Sequence, residues 1–166
     1  MYMIKKLVII RHGKSTWDYE GVADYDRPLK EIGIFNTQII AQKIRGYDIV
    51  PDRMLSSPAN RALHTALIVA REMLFPLDKV TISNTLYGES DVEVLEMVKA
   101  TDNQYNCQFI FGHNPVFTDL PNQFLKKQID NLPTSGAAVL RFEVPTWKEI
   151  SKKTLNTEMV FFPKSL

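Results

Sequence analysis

The segment Met3 to Ile10 closes on Leu7-Val8-Ile9-Ile10, an unbroken apolar and β-branched run that gives way at once to Arg11-His12-Gly13-Lys14-Ser15. A strand that is apolar at successive positions, not alternate ones, has to be covered on both faces. No other feature constrains the chain as much. It demands a central strand with helices on either side, and it places charged groups where that strand stops.

The rest of the sequence supplies such a setting. A polar loop runs from Gly13 to about Pro28. Lys30 to Arg45 carries Ile32, Phe35, Ile39, Ile40 and Ile44 at helical spacing, and Gly46 ends it. Arg53 to Ser56 reads as a second strand. Ser57 and Pro58 then open a helix to about Leu74, with Ser57 as N-cap and Pro58 at the first helical position. Lys79 to Ser83 is a third strand, Asp91 to Ala100 a helix, and Gln108 to Phe111 a fourth strand. A helix over Val116 to Lys127 must accommodate Pro121. Ala137 to Val144 and Glu158 to Phe162 close the chain as two strands joined by a turn at Pro145-Thr146. Strands alternating with helices predict an α/β fold, three-layer α/β/α, with a mostly parallel, mixed central sheet.

The chain has 166 residues, and no linker, repeat or low-complexity tract divides it, so one domain over 1–166 is expected. At this size folding buries roughly 70% of the unfolded surface without a disulfide or metal staple. A net charge of +1 offers nothing for nucleic acid, so any anion site must be local. The single cysteine, Cys107, lies in an apolar run and reads as a buried structural thiol. No apolar stretch approaches the ~20 residues of a membrane span, and no export signal is visible, so a cytoplasmic protein is expected. The three histidines have no i,i+4 pair and no H-E-x-x-H cluster. Neither a Walker A nor a G-x-G-x-x-G stretch occurs. No metal or other cofactor is expected.

In α/β folds ligands bind beyond the carboxyl ends of the strands. Strand one ends in Arg11-His12-Gly13. Strand two ends in Ser56-Ser57-Pro58, with Arg61 one turn into the next helix. Strand four ends in Gly112-His113-Asn114-Pro115. Two arginines and two histidines can thus converge on one pocket, a set suited to phosphoryl transfer. Guanidiniums bind phosphoryl oxygens in bidentate fashion. One imidazole attacks phosphorus. The other, if protonated, is a donor for charge developing on the equatorial oxygens. Gly13 lets the backbone approach closely and frees a carbonyl to hold one ring nitrogen of His12.

Four segments in order resemble the histidine phosphatase superfamily, the phosphoglycerate-mutase-like fold. Arg11-His12-Gly13 resembles its signature, and Asp26-Arg27-Pro28-Leu29-Lys30-Glu31-Ile32-Gly33 its Pro-Leu-x-x-x-Gly helix start. Ser56-Ser57-Pro58-Ala59-Asn60-Arg61-Ala62-Leu63-His64-Thr65-Ala66 is similar to its Ser-Pro-x-x-Arg-Ala-x-x-Thr helix. Gly112-His113-Asn114-Pro115 is similar to the second-histidine motif of its small SixA-like phosphohistidine phosphatases. The resemblance implies that His12 is a nucleophile that becomes transiently phosphorylated. It implies that Arg11, Arg61 and His113 bind the phosphoryl group and that no metal is needed. From their place in the loop after His12, Gly13 and Ser15 are also expected to contact substrate. The short stretch between the helix of Arg61 and His113 leaves no room for the large cap of the mutases and acid phosphatases. An open site suits a phosphoryl group presented on another protein, so the partner is expected to be a phosphorylated protein or a small phosphorylated molecule.

In the mutases a glutamate shortly after the third strand protonates the leaving group. Here that segment is Leu86-Tyr87-Gly88-Glu89-Ser90, and Glu89 is offset by a residue. Asp18 and Asp26 are the alternatives. An alkoxide leaving group needs an acid, whereas an imidazole with an ordinary pKa near ~6.5 departs easily once protonated. The expected activity is therefore a metal-independent phosphatase acting on protein phosphohistidine through His12. The alternatives are a small-molecule phosphomonoesterase, a mutase, or a non-catalytic phosphate-recognition module. His64 reads as a packing histidine. Lys14 either touches phosphate or is simply solvated. Trp17, Tyr19 and Tyr25 either form a rim for a partner protein or pack their loop on the domain.

Overall fold

The computed structural model describes residues 3–165; the expected domain 1–166 also includes Met1, Tyr2 and Leu166, which lie outside the described residues. The first strand, β1 (Lys5–Arg11), sits inside a six-stranded sheet. It pairs in parallel with β4 (Cys107–Gly112), Arg11 standing opposite Gly112, and antiparallel with β5 (Ala137–Phe142). The order continues outward from β4 through β2 (Arg53–Ser56) to β3 (Thr81–Ile82), both parallel, and from β5 to antiparallel β6 (Leu155–Phe161). The sheet is mixed and mostly parallel, as expected.

Successive residues of β1 go to opposite faces, and both faces are covered. Leu7 and Ile9 join a core with Val94 and Val98 of α3 (Asp91–Lys99) and Val116, Phe117 and Leu120 of α4 (Val116–Asn122). Val8 and Ile10 join a second core with Ile40, Ala41 and Ile44 of α1 (Glu31–Arg45) and Ala66, Val69 and Ala70 of α2 (Asn60–Glu72). These four strand residues are fully buried, each contributing about 1.5–3 kcal/mol. Three layers result. Only β3 and α3, with two short 3-10 turns, separate α2 from β4, so no cap domain covers the site among the described residues. Cys107 is buried and its thiol is pushed up to about 12 by burial.

Several elements differ from the sequence-based reading. Ile32 and Phe35 are exposed, so the buried stripe of α1 is narrower than its apolar spacing suggests. The second helix begins at Asn60 with Ala59 as N-cap. Ser57 lies two residues ahead of that cap: its hydroxyl accepts from the Ala59 N–H (3.2 Å) and contacts a histidine side chain, not the amides of the first helical turn. β3 contracts to two exposed edge residues. α4 stops at Asn122, whose side chain both donates to and accepts from the backbone of Ile129 and so folds the following segment into a loop. The connection from β5 to β6 is no tight turn. It carries Trp147, fully buried, with its indole N–H on the Tyr105 carbonyl (2.8 Å), and β6 starts at Leu155.

Candidate active site

Backbone hydrogen bonds draw the loops after β1, β2 and β4 together. His12 N–H donates to the Gly112 carbonyl (3.0 Å), and Ser135 N–H reaches the carbonyls of Arg11 and His12 (3.1 Å each). Gly13 N–H donates to Thr65 Oγ1 (2.9 Å), and the Thr65 hydroxyl donates in turn to the Arg61 carbonyl (2.7 Å). A helix residue on α2 thereby holds the loop beside His12. A Cβ at Gly13 would lie 2.9 Å from the Gly33 carbonyl oxygen, so only glycine allows α1 to approach so closely.

His12 is 8% exposed, and its Nδ1 lies 2.7 Å from the Gly13 carbonyl oxygen. That oxygen can only accept, so Nδ1 carries the proton and Nε2 keeps its lone pair. Burial, assisted by His113, Arg61 and Arg11 and opposed by the Gly13 bond, holds the imidazole down at about 3. His113 follows β4, with its ring centroid 5.1 Å from that of His12. Its Nε2 lies 2.8 Å from Ser57 Oγ. Burial, then Arg61, lowers its pKa to about 4, with Asp24 acting in the opposite sense. Both imidazoles are therefore neutral near pH 7.

Arg11 and Arg61 are close enough for Arg61 to depress the Arg11 pKa beyond the effect of burial. Arg11 Nη1 donates to the Leu132 carbonyl (3.0 Å). Arg61 Nη1 donates to the Asp24 carbonyl (2.6 Å) and Nη2 to Asp24 Oδ2 (3.0 Å). Arg11 Nε, Arg61 Nε and His113 Nδ1 are buried with no partner. Of the four such side-chain nitrogens among the described residues, only Arg141 Nε belongs elsewhere, on β5. Unpartnered buried donors are costly and call for an acceptor-rich guest.

The sequence-predicted residues thus divide into two groups. His12, Arg11, Arg61, His113 and Gly13 come together. Ser15 is buried; its hydroxyl accepts from Arg27 Nη2 (2.5 Å) and is bonded to neither histidine. Glu89 and Asp18 are exposed, and neither side chain is bonded to this cluster. Asp26 is also exposed, its carbonyl accepting from Asn60. The carboxylate at the cluster is Asp24. It accepts from Arg27 Nη1 (2.9 Å), Arg61 Nη2 and the Tyr87 hydroxyl (3.0 Å). Desolvation works against its ionised form, but these bonds outweigh it and hold the carboxyl at about 2. The Tyr87 ring meets the His113 ring edge-on, centroids 5.3 Å apart. Asp24, Arg27, Tyr87, Thr65 and the Ser57 hydroxyl are the residues the sequence reading missed. Asp24 is three residues before Arg27, and Tyr87 is two before Glu89, in segments already singled out. Among the described residues no group of three or more His, Cys, Asp or Glu side chains is placed to hold a metal.

Known proteins share this arrangement of chain. Residues 7–105 match the model of the histidine phosphatase superfamily, branch 1. The chain belongs to that superfamily. A protein of Mycobacterium tuberculosis is 28% identical over 142 residues, 80% of this chain and 86% of its own. The crystal structure of the putative phosphohistidine phosphatase SixA from Agrobacterium tumefaciens is 26% identical, with a TM-score of 0.74 over 82% of this chain and 90% of that one. The structure of the protein histidine phosphatase SixA complexed with tungstate is 21% identical, with a TM-score of 0.77 over 96% of this chain and 98% of its own, a likeness of fold. This histidine phosphatase is therefore SixA-like, an enzyme that hydrolyses phosphate esters. Among its described residues no helix is long and apolar enough to cross a membrane.

Proposed function

We propose that this histidine phosphatase removes phosphoryl groups bound to nitrogen, above all protein phosphohistidine, through a covalent intermediate on His12. The observation that carries the reading is the Nδ1 contact with the Gly13 carbonyl, which leaves Nε2 as a free lone pair beside three buried, unpartnered nitrogens. Arg11 and Arg61 supply N–H groups to the phosphoryl oxygens. The Ser57 hydroxyl lies 2.8 Å from His113 Nε2; with the hydroxyl as donor there, the neutral ring keeps its proton on the unpartnered Nδ1 and offers it to the same oxygens. His113 then needs no positive charge to serve as a donor.

The Nε2 lone pair of His12 forms the new N–P bond while the substrate's N–P bond breaks, its electron pair going to the substrate imidazole. A proton already on that imidazole's other nitrogen makes the leaving group neutral. Phospho-His12 still carries its Nδ1 proton. Water then attacks phosphorus, the P–N bond returns its pair to Nε2, and the water's protons leave with dihydrogen phosphate. No step requires an enzyme acid. This fits a site whose nearest carboxyl, Asp24, is held ionised and whose Glu89 makes no contact with the cluster. A substrate on a protein surface suits the open mouth, where Trp17, Tyr19 and Tyr25 are exposed.

Hydrolysis of a phosphohistidine peptide, measured beside an alkyl phosphate monoester, tests the substrate class. The phosphopeptide should have the higher kcat/KM. Faster turnover of the alkyl ester overturns the phosphohistidine reading and returns the protein to the small-molecule phosphomonoesterases.

A further inference from the structure

We propose that Asp24 sets the substrate specificity of this site through charge: its carboxylate favours substrates whose phosphorylated imidazole is protonated and cationic before it leaves, and disfavours those whose leaving group carries a second anion. The inference rests on the reading of His12 as nucleophile, and it adds a residue that no motif supplies.

A carboxylate beside a phosphoryl-binding arginine is electrostatically adverse to a phosphate dianion, so its presence needs a reason. Neutralising Arg61 is an insufficient one. Asp24 takes up two of the five N–H groups of Arg61 and leaves Nε free and buried. Asp24 and a phosphoryl group can therefore share this guanidinium. Nor is Asp24 a stray surface charge. Arg27 is committed to it: Nη1 goes to Asp24 Oδ1, Nε to the Thr16 carbonyl (3.2 Å) and Nη2 to Ser15, with the Trp17 ring stacked on the guanidinium at 3.4 Å. Tyr87 supplies a third donor. A carboxylate held by three donors is fixed in place and in charge.

Its position gives that charge a direction. His12 is 8% exposed, so a leaving group has to move from the buried ring toward solvent. The Asp24 side chain is 44% exposed, whereas those of Arg27 and Arg61 behind it are 11% and 8% exposed. The negative end of the arrangement faces outward, where the leaving group passes. A phosphorylated imidazole protonated on its other nitrogen is a cation and meets a favourable charge there until the N–P bond breaks. A leaving group bearing a carboxylate or second phosphate meets a repulsive one. An opposite charge within ~4–6 Å favours an ionised form by one to three pKa units, and the pairing of Asp24 with two arginines moderates this, so selectivity of roughly tenfold is the expected scale.

The test compares the wild type with Asp24→Asn, which keeps the shape and removes the charge. kcat/KM is measured for a phosphohistidine peptide, for p-nitrophenyl phosphate and for phosphoglycolate. With p-nitrophenyl phosphate as reference, the peptide should fall about tenfold in Asp24→Asn and phosphoglycolate should rise. Tyr87→Phe removes one donor but keeps the carboxylate, and should retain the wild-type ranking. If all three substrates fall together, Asp24 only positions Arg61 and the proposal is wrong. Unchanged ratios also overturn it. Should the wild type prefer p-nitrophenyl phosphate to the peptide, the phosphohistidine reading fails, while the ratio of phosphoglycolate to p-nitrophenyl phosphate still decides the role of Asp24.

Discussion

The Ser57 hydroxyl lies 2.8 Å from Nε2 of His113 and also accepts from the Ala59 N–H at 3.2 Å, so one side chain joins the end of β2, the start of α2 and the loop after β4. In the proposed mechanism the hydroxyl donates to Nε2 and so leaves Nδ1 of His113 as the donor to the phosphoryl group. Ser57→Ala removes that control. A hydrogen bond of about 1 kcal/mol sets a loss of roughly fivefold in kcat/KM as a floor, with a similarly small loss of stability. Steady-state kinetics beside urea unfolding checks both. Unchanged kinetics would mean that the His113 tautomer is set without Ser57.

Gly33 carries no catalytic chemistry, yet its substitution should be costly. A Cβ there would lie 2.4 Å from the Lys14 carbonyl oxygen and 2.7 Å from the Lys14 nitrogen. Both are backbone atoms of the loop behind His12 and cannot swing aside. Gly33→Ala should destabilise by about 2–3 kcal/mol, lowering Tm by roughly 5–10 °C. A thermal melt that matches the wild type would contradict this packing.

The buried imidazoles make stability depend on pH. In the unfolded chain each titrates near ~6.5. In the folded protein His12 sits at about 3 and His113 at about 4, chiefly because both are buried. Between these values the unfolded chain binds more protons, so acid favours unfolding. Their stabilisation is complete above ~6.5 and is lost as pH falls toward the folded values, by up to about 2 kcal/mol per ring at pH 5. Urea unfolding of the ligand-free protein should weaken between pH 7 and pH 5, and His12→Gln with His113→Gln should flatten that dependence. An equally steep fall in the double variant would place its origin elsewhere.

Trp17 is 71% exposed although its ring stacks on Arg27. As part of a rim for a protein substrate, Trp17→Ala should weaken turnover of a phosphorylated protein about tenfold and leave p-nitrophenyl phosphate nearly unaffected. Trp17→Phe keeps an aromatic over Arg27 and should restore most of the loss. Equal losses on both substrates would mean that Trp17 serves only to pack its loop.

Arg11, His12, Arg61 and His113 were legible because each lies at or just beyond a strand end in a short local pattern, and an apolar β1 fixes where that end falls. The three layers followed from the same run. The residues that escaped notice act across long stretches of sequence. Asp24 reaches Arg61 and Tyr87, and Ser57 reaches His113, through side-chain bonds that periodicity cannot encode. Ser57 followed by Pro58 has the local form of a helix start, and a distant histidine overrides it. The offset of Glu89 was visible in sequence, but the carboxylate that stands at the cluster, Asp24, lies in a different loop. Trp147 illustrates the same limit, since nothing near it in sequence shows that it fills the core beneath Tyr105.

The central claim is that His12 Nε2 takes up the phosphoryl group. Intact-mass analysis of the protein mixed rapidly with a small phosphoramidate, in EDTA, tests it most directly, beside His12→Ala. The account predicts a transient, acid-labile phosphoryl adduct and phosphate release in the wild type, with neither in the variant. Phosphate release that persists in His12→Ala would contradict it.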